Sequence, residues 1–263
     1  MNEGAVRDRL VEHGRKLFDA EREKLIEFTG EPAADALLND FGTYPHAFVL
    51  ACLMDRQMKY GRAWLIPYRI SQRMKEHGFG EFSIGNLRKL SLEQVKKLMS
   101  EPEALHRFPD KMGGVFYSAL QRIADEYAGD ASRIWADEPS SAAAVYRFLQ
   151  FEGAGPKIAT MAVNILAREF KVKLADYYSV DISADVQVCR VFARLGLCPA
   201  EPRVEQVVYK ARSLYPQFPG MMDSPCWEIG EYWCRPEDPQ CSVCYMNDLC
   251  PNARPPAPAA SNR

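Results

Sequence analysis

Near its C-terminal end the chain carries Cys234, Cys241, Cys244 and Cys250 in a C-x6-C-x2-C-x5-C pattern. Thiolates are soft donors, and four of them on short loops can wrap one inorganic centre at little cost in loop-closure entropy. Pro236 and Pro239 stiffen the first of those loops. Structural zinc also takes four cysteines, but usually as two close pairs divided by a longer spacer, and here there is one close pair, Cys241 and Cys244. The spacing favours an iron–sulfur cluster, with zinc as the alternative. Disulfides suit a small secreted chain, which this is not. Cys52, Cys189, Cys198 and Cys226 fall outside the pattern and read as small buried hydrophobes.

A second stretch, residues 148–159 (FLQFEGAGPKIA), has the form of a helix, a Gly153-x-Gly155 reversal and a new helix with Pro156 in its first turn. Glycines let the backbone turn tightly and approach another surface closely. The free N–H groups of the new helix start can hold a phosphate. A plain αα-hairpin also favours glycine, so this motif alone leaves both readings open.

The elements that must position these residues read as helices throughout. Residues 1–29 show apolar side chains near helical spacing (Val6, Leu10, Leu17, Leu25, Phe28), and Gly30-Glu31-Pro32 ends that pattern. Pro45 opens an apolar stretch, 46–64, that reads as one largely buried helix. Residues 83–99 hold two helical patterns, with Ser91 and Gln94 forming a capping box. Gly113-Gly114 reads as the start of a helix over 115–127, and Ser140 or Ser141 as the cap of a helix over 142–151. The β-branched run 172–182 is too broken for a sheet, so the fold class is all-α. Residues 251–263, rich in Pro, Ala, Ser and Asn, read as unstructured.

A chain of 263 residues with 47% hydrophobic and 26% charged residues can bury a sizeable core in one large domain or two lobes. No apolar run approaches the ~20 residues of a membrane span, and the N-terminus lacks the apolar core of a signal peptide. A cytoplasmic protein with no membrane partner is expected. The net charge of −2 argues against a nucleic-acid binder, unless a basic patch sits on a neutral body.

Taken together, the cysteine spacing, the lead-in Gly230-Glu231-Tyr232-Trp233-Cys234 and the Gly153–Lys157 hairpin resemble the endonuclease III family of helix-hairpin-helix DNA glycosylases. The resemblance overturns the reading from charge. It implies a [4Fe-4S] cluster held by Cys234, Cys241, Cys244 and Cys250, and double-stranded DNA carrying a damaged base or abasic site as partner. It also implies that Gly153 and Gly155 contact the DNA backbone and that Lys157 is the nucleophile. An unprotonated Lys157 amine is needed, and the helix N-terminus, burial or a nearby base can supply it. The family's aspartate, followed five residues later by arginine, matches Asp185 and Arg190; Asp181 has Val186 at that distance and is rejected. Asp185 would stabilise positive charge at the sugar C1′ as the base departs. The family's gap-filling glutamine matches Gln57, with a solvated helix end as the competing reading.

Two departures stand out. Lys157 and Asp185 are 28 positions apart, implying an insertion within 169–184 that contains Tyr177 and Tyr178, which either stack on a base or pack internally. The loop after Cys234 holds Glu237 and Asp238 beside Arg235, which puts a phosphate contact there in doubt. The implied architecture has two lobes: a six-helix barrel over 38–170 ending in the hairpin, and an iron–sulfur lobe from 1–37 and 171–252, followed by a tail over 253–263. The expected activity is that of a monomeric base-excision DNA glycosylase with AP lyase activity, working through a lysine Schiff base. A monofunctional glycosylase using water, or a non-catalytic lesion-binding or electron-transfer protein, are the alternatives; the joint presence of Lys157 and Asp185 argues against the last. The substrate base is not legible.

Overall fold

The computed structural model describes residues 2–21 and 25–253, and among these there is helix but no strand. The helices are α1 (Glu3–Asp19), α2 (Pro32–Asn39), α3 (Pro45–Met54), α4 (Tyr60–Trp64), α5 (Ile66–Glu76), α6 (Ile84–Leu87), α7 (Leu92–Ser100), α8 (Pro109–Glu126), α9 (Ser141–Leu149), α10 (Pro156–Arg168), α11 (Val186–Arg194), α12 (Val204–Leu214) and α13 (Asp223–Glu228). The chain divides into two compact units, a central one within 22–175 and a terminal one from the residues before 22 and after 175.

In the central unit α3 is the core element. Its sequence is apolar all round, and every one of its residues is buried. Phe48 meets Trp64 edge-on at 5.8 Å, Phe28 stacks on Trp64 at 4.5 Å, and Phe41 stacks on Phe170 at 4.0 Å. Truncating a side chain such as Phe48 to Ala would cost roughly 3–5 kcal/mol. The helix expected to run through residue 64 stops at Met54, and Gln57 adopts a positive φ of 52° before α4 begins. Continuing the helix would carry Asp55, Arg56 and Gln57 along the same buried path, and unpaired polar groups there are costly.

The capping box of Ser91 and Gln94 starts α7 as expected, and Ser140 caps α9 by accepting from the amide of Ala143. The expected helix start at Gly113-Gly114 is corrected: α8 begins at Pro109, and both glycines lie inside it. A Cβ on Gly113 would stand 3.0 Å from the Cα of Lys96, so this glycine lets α8 pack closely on α7.

The expected helix over 1–29 is also corrected. The last residue of α1 is Asp19, and the amide of Ala20 closes it on the carbonyl of Lys16. Val6, Leu10 and Val11 are buried on α1, whereas Ile26 and Phe28 belong to the central unit, where their amides donate to Asn39 and to the buried carboxylate of Asp35. One apparent periodicity therefore joins side chains of two separate cores. Segment 25–37 likewise falls in the central unit rather than with the N-terminal helix.

Residues 171–185 form no helix. Val180 accepts from Gly220 (2.7 Å) and the amide of Ser183 donates to Asp223 (2.7 Å). Tyr177 stacks on Phe218 at 4.7 Å and meets Phe18 edge-on, so it packs internally, while Tyr178 is exposed. Of the tail expected to be unstructured, residues 251–253 form a turn, and the rest lies outside the described residues. No helix among the described residues is long and apolar enough to cross a membrane.

Candidate active site and cysteine cavity

The hairpin forms as its composition requires. α9 ends at Leu149, Gly153 takes φ +84°, and Gly155 is the extended residue before Pro156 opens α10. Gly153 is needed on two counts: its backbone is left-handed, and a Cβ there would meet the side chain of Val115 at 3.0 Å. Gly155 is exposed, with nothing within 4 Å of a Cβ built on it. The first helical bond of α10 runs from the amide of Ala159 to the carbonyl of Gly155. The amides of Lys157 and Ile158 therefore precede the hydrogen-bond ladder, at the positive end of the helix dipole.

Lys157, the second residue of α10, lies beside the turn that follows α3. Its Nζ donates to Asp55 Oδ2 at 2.9 Å and lies 3.9 Å from Met161 Sδ, one turn along α10. The Asp55 side chain is only 10% exposed and that of Lys157 34%. Arg56, next in sequence, donates to the carbonyl of Gly153 at 3.4 Å. Two consecutive residues thus hold both sides of the hairpin. Beneath them the thiol of Cys52 is fully buried, and burial pushes its pKa well above the ordinary value. His106 packs by the backbone of Met54 and Arg56, and burial lowers its pKa.

Sequence reasoning missed Asp55, which fell unremarked within the stretch 46–64 read as one buried helix. The signal was present: Asp55 is the first charged residue after ten buried positions, where an ionisable group needs a partner. That partner lies 102 residues away, which no local pattern reveals. Gln57 itself is exposed and stands on the bend rather than on a helix.

In the terminal unit, Asp185 caps α11. Its Oδ1 accepts from the amides of Gln187 (2.9 Å) and Val188 (2.8 Å), and its side chain is half-buried. Asp181, by contrast, makes a paired contact with Arg212, both bonds 2.7 Å. From α11, Arg190 donates to the carbonyls of Cys234 (2.7 Å) and Gly230 (3.0 Å). Arg194, one turn on, holds the carbonyls of Arg235 (2.6 Å) and Pro236 (2.7 Å).

These arginines fasten the segment whose cysteines line one cavity. Cys234, Cys241, Cys244 and Cys250 all face it, with Val191, Leu195, Ile229, Trp233 and Met246 as apolar walls. All eight cysteines are free of disulfides. Among the described residues no three His, Cys, Asp or Glu side chains converge closely enough for a single metal ion. Cys226 is buried outside this cavity's lining, Cys52 is buried in the central unit, and Cys189 and Cys198 are half-buried.

No protein-family profile matches the sequence, and no curated protein matches it. Solved structures do. A trapped endonuclease III–DNA covalent intermediate is similar over 96% of this chain and 98% of its own, with a TM-score of 0.63 at 16% identity. A non-covalent endonuclease III–DNA complex matches with a TM-score of 0.61 at 17% identity, covering 96% and 97% of the two chains. A thermostable thymine-DNA glycosylase matches with a TM-score of 0.59 at 13% identity over 94% and 96%. The chain therefore has an all-helical fold of two units, and that fold is the one used by the helix-hairpin-helix DNA glycosylases.

Proposed function

We propose that this chain is a base-excision DNA glycosylase with AP lyase activity, acting as a monomer on double-stranded DNA that carries a damaged base or an abasic site. The observation that carries the reading is the hairpin of Gly153 and Gly155 running into the open start of α10, with Lys157 in its first turn. Amides that precede the hydrogen-bond ladder at that start suit a phosphate of the DNA backbone, and exposed Gly155 lets the backbone approach it. The damaged base is extruded from the duplex. The Lys157 amine then attacks C1′, and the resulting Schiff base permits β-elimination and strand cleavage. Asp185, whose second carboxylate oxygen is not used in capping α11, stabilises positive charge on the sugar as the base departs. Gln57, exposed on its bend, is the residue proposed to fill the gap left in the duplex.

The cysteine cavity fits a [4Fe-4S] cluster better than zinc. Structural zinc favours two close cysteine pairs, and here only Cys241 and Cys244 form one. Cys234, Cys241, Cys244 and Cys250 line one shared cavity with apolar walls, a setting that suits an inorganic cluster held by four thiolates. Cys234, Cys241, Cys244 and Cys250 would hold it, and its contribution is to tie the loop between them into one rigid surface. No chemical step passes through it.

One observation favours a second reading. The Lys157 amine is engaged by Asp55 at 2.9 Å, which suits a monofunctional glycosylase in which water attacks and Lys157 is structural. Borohydride reduction on an abasic duplex separates the two. A covalent protein–DNA adduct that disappears in Lys157→Gln supports the lyase; base excision by Lys157→Gln without strand nicking establishes the water route. A panel of single-lesion duplexes then identifies the excised base.

A further inference from the structure

If Lys157 is the nucleophile, its ammonium must lose a proton inside the site, and some group has to receive it. Asp185 is poorly suited to that task, because its Oδ1 is committed to two amides of α11 and the cap depends on the carboxylate's charge. Asp55 meets the requirements that the task sets. Its Oδ2 is 2.9 Å from Lys157 Nζ, within the range for direct proton transfer. At 10% exposure it has little contact with bulk water, so solvent is a poor competitor for the proton. It is also held in place: it follows a wholly buried helix, and its amide donates to the carbonyl of Cys52. The other ionisable groups beside the pair do not substitute for it. Arg56 is a cation turned to Gly153, and the Cys52 thiol is kept neutral by burial. His106 is kept neutral by burial too, and its Nδ1 is already occupied by the amide of Phe108.

We propose that Asp55 is a catalytic residue, the acceptor of the Lys157 proton, leaving Asp185 to stabilise the sugar. This assignment rests on the lyase reading above. In the resting protein the pair is an ammonium facing a carboxylate. When substrate fills the site and excludes water, two charges this close become more costly to keep and the neutral pair gains. One N–H bond of Lys157 breaks, one O–H bond of Asp55 forms, and nitrogen keeps the electron pair with which it attacks C1′. The base leaves with the C1′ bonding pair and collects the proton, restoring the carboxylate; nothing else is consumed. The sequence offers Asp55 no motif, because its role exists only through a contact spanning 102 residues.

The test is single-turnover borohydride trapping on an abasic duplex with Asp55→Asn, Asp55→Glu and Asp55→Ala, alongside the wild type. Loss of general-base assistance costs about a hundredfold or more. Asp55→Asn should therefore trap at least that much more slowly while binding the duplex with unchanged affinity. Added formate should restore trapping to Asp55→Ala, which a purely structural role would not permit, and Asp55→Glu should keep part of the rate. Wild-type trapping by Asp55→Asn overturns the assignment of Asp55 and leaves the lyase reading standing. Absence of any adduct with the wild-type protein overturns the lyase reading, and the assignment with it. If Asp55→Asn does not fold, the formate response of Asp55→Ala decides; no response refutes the proposal.

Discussion

Acidification should weaken the central unit through one side chain, His46. It sits in the first turn of α3, buried, with Nε2 bonded to the carbonyl of Phe82 at 2.9 Å. Burial is the main cause that lowers its pKa from 6.5 to about 4, opposed by that hydrogen bond. The unfolded chain takes up this proton around pH 6.5, and the folded protein resists until about pH 4. The sign follows: in that window the unfolded state binds more protons, so stability present at neutral pH is lost as the pH falls. Between pH 7.5 and 5 the loss from this group alone comes to about 2 kcal/mol. Ordinary carboxylates remain charged over most of that range, so the effect is separable from general acid denaturation. The assay is urea unfolding at half-unit pH steps for the wild type and His46→Gln, which can still donate to Phe82. His46→Gln should be less stable at pH 7.5, and the gap should narrow by about 2 kcal/mol at pH 5. Parallel stability curves for the two proteins would refute the argument.

Other expectations are checked more simply. Anaerobically purified protein should contain about four irons per chain by metal analysis, with Cys226→Ala leaving that content intact; one zinc and no iron would exclude the cluster. Stripping the metal should lower the melting temperature of the terminal unit, measured by hydrogen exchange, with the slowest amides of α3 unchanged. Asp181→Asn breaks the paired contact with Arg212 and should cost about 1–3 kcal/mol of stability without lowering trapping on an abasic duplex. Duplex affinity should fall steeply with added salt despite the net charge of −2, as expected for counterion release; a flat salt profile would point away from DNA.

What the sequence made legible was whatever depends on near neighbours. The Ser91–Gln94 box, the Ser140 cap and the Gly153–Lys157 hairpin are short-range devices, and each lies where its residues indicated. The four cysteines could be singled out by spacing, and they do share one cavity. Errors arose where a pattern crossed a boundary that only tertiary packing sets. Leu17 and Phe28 look like one helical face, yet Phe28 stacks on Trp64 in the central unit. Gly113 reads as a helix start, yet it lies inside α8, where its lack of a side chain allows close packing on Lys96. Asp55 was hidden by distance along the chain, and Asp185 serves as a helix cap as well as a candidate for chemistry, a double role that its motif did not disclose.

The terminal unit is assembled from residues before 22 and after 175, with the central unit lying between them along the chain. During synthesis α1 emerges before the central unit and meets its partners only after it. Met221 and Glu228, against which Gly14 and His13 pack, are made only after the whole central unit has left the ribosome. The central unit contains its own core and can fold while translation proceeds, as domains generally do. Until then α1 exposes Val6, Leu10 and Val11, which the finished protein buries. A chain stalled at that stage would hold a finished centre around α3 and an uncovered α1, where degradation should begin.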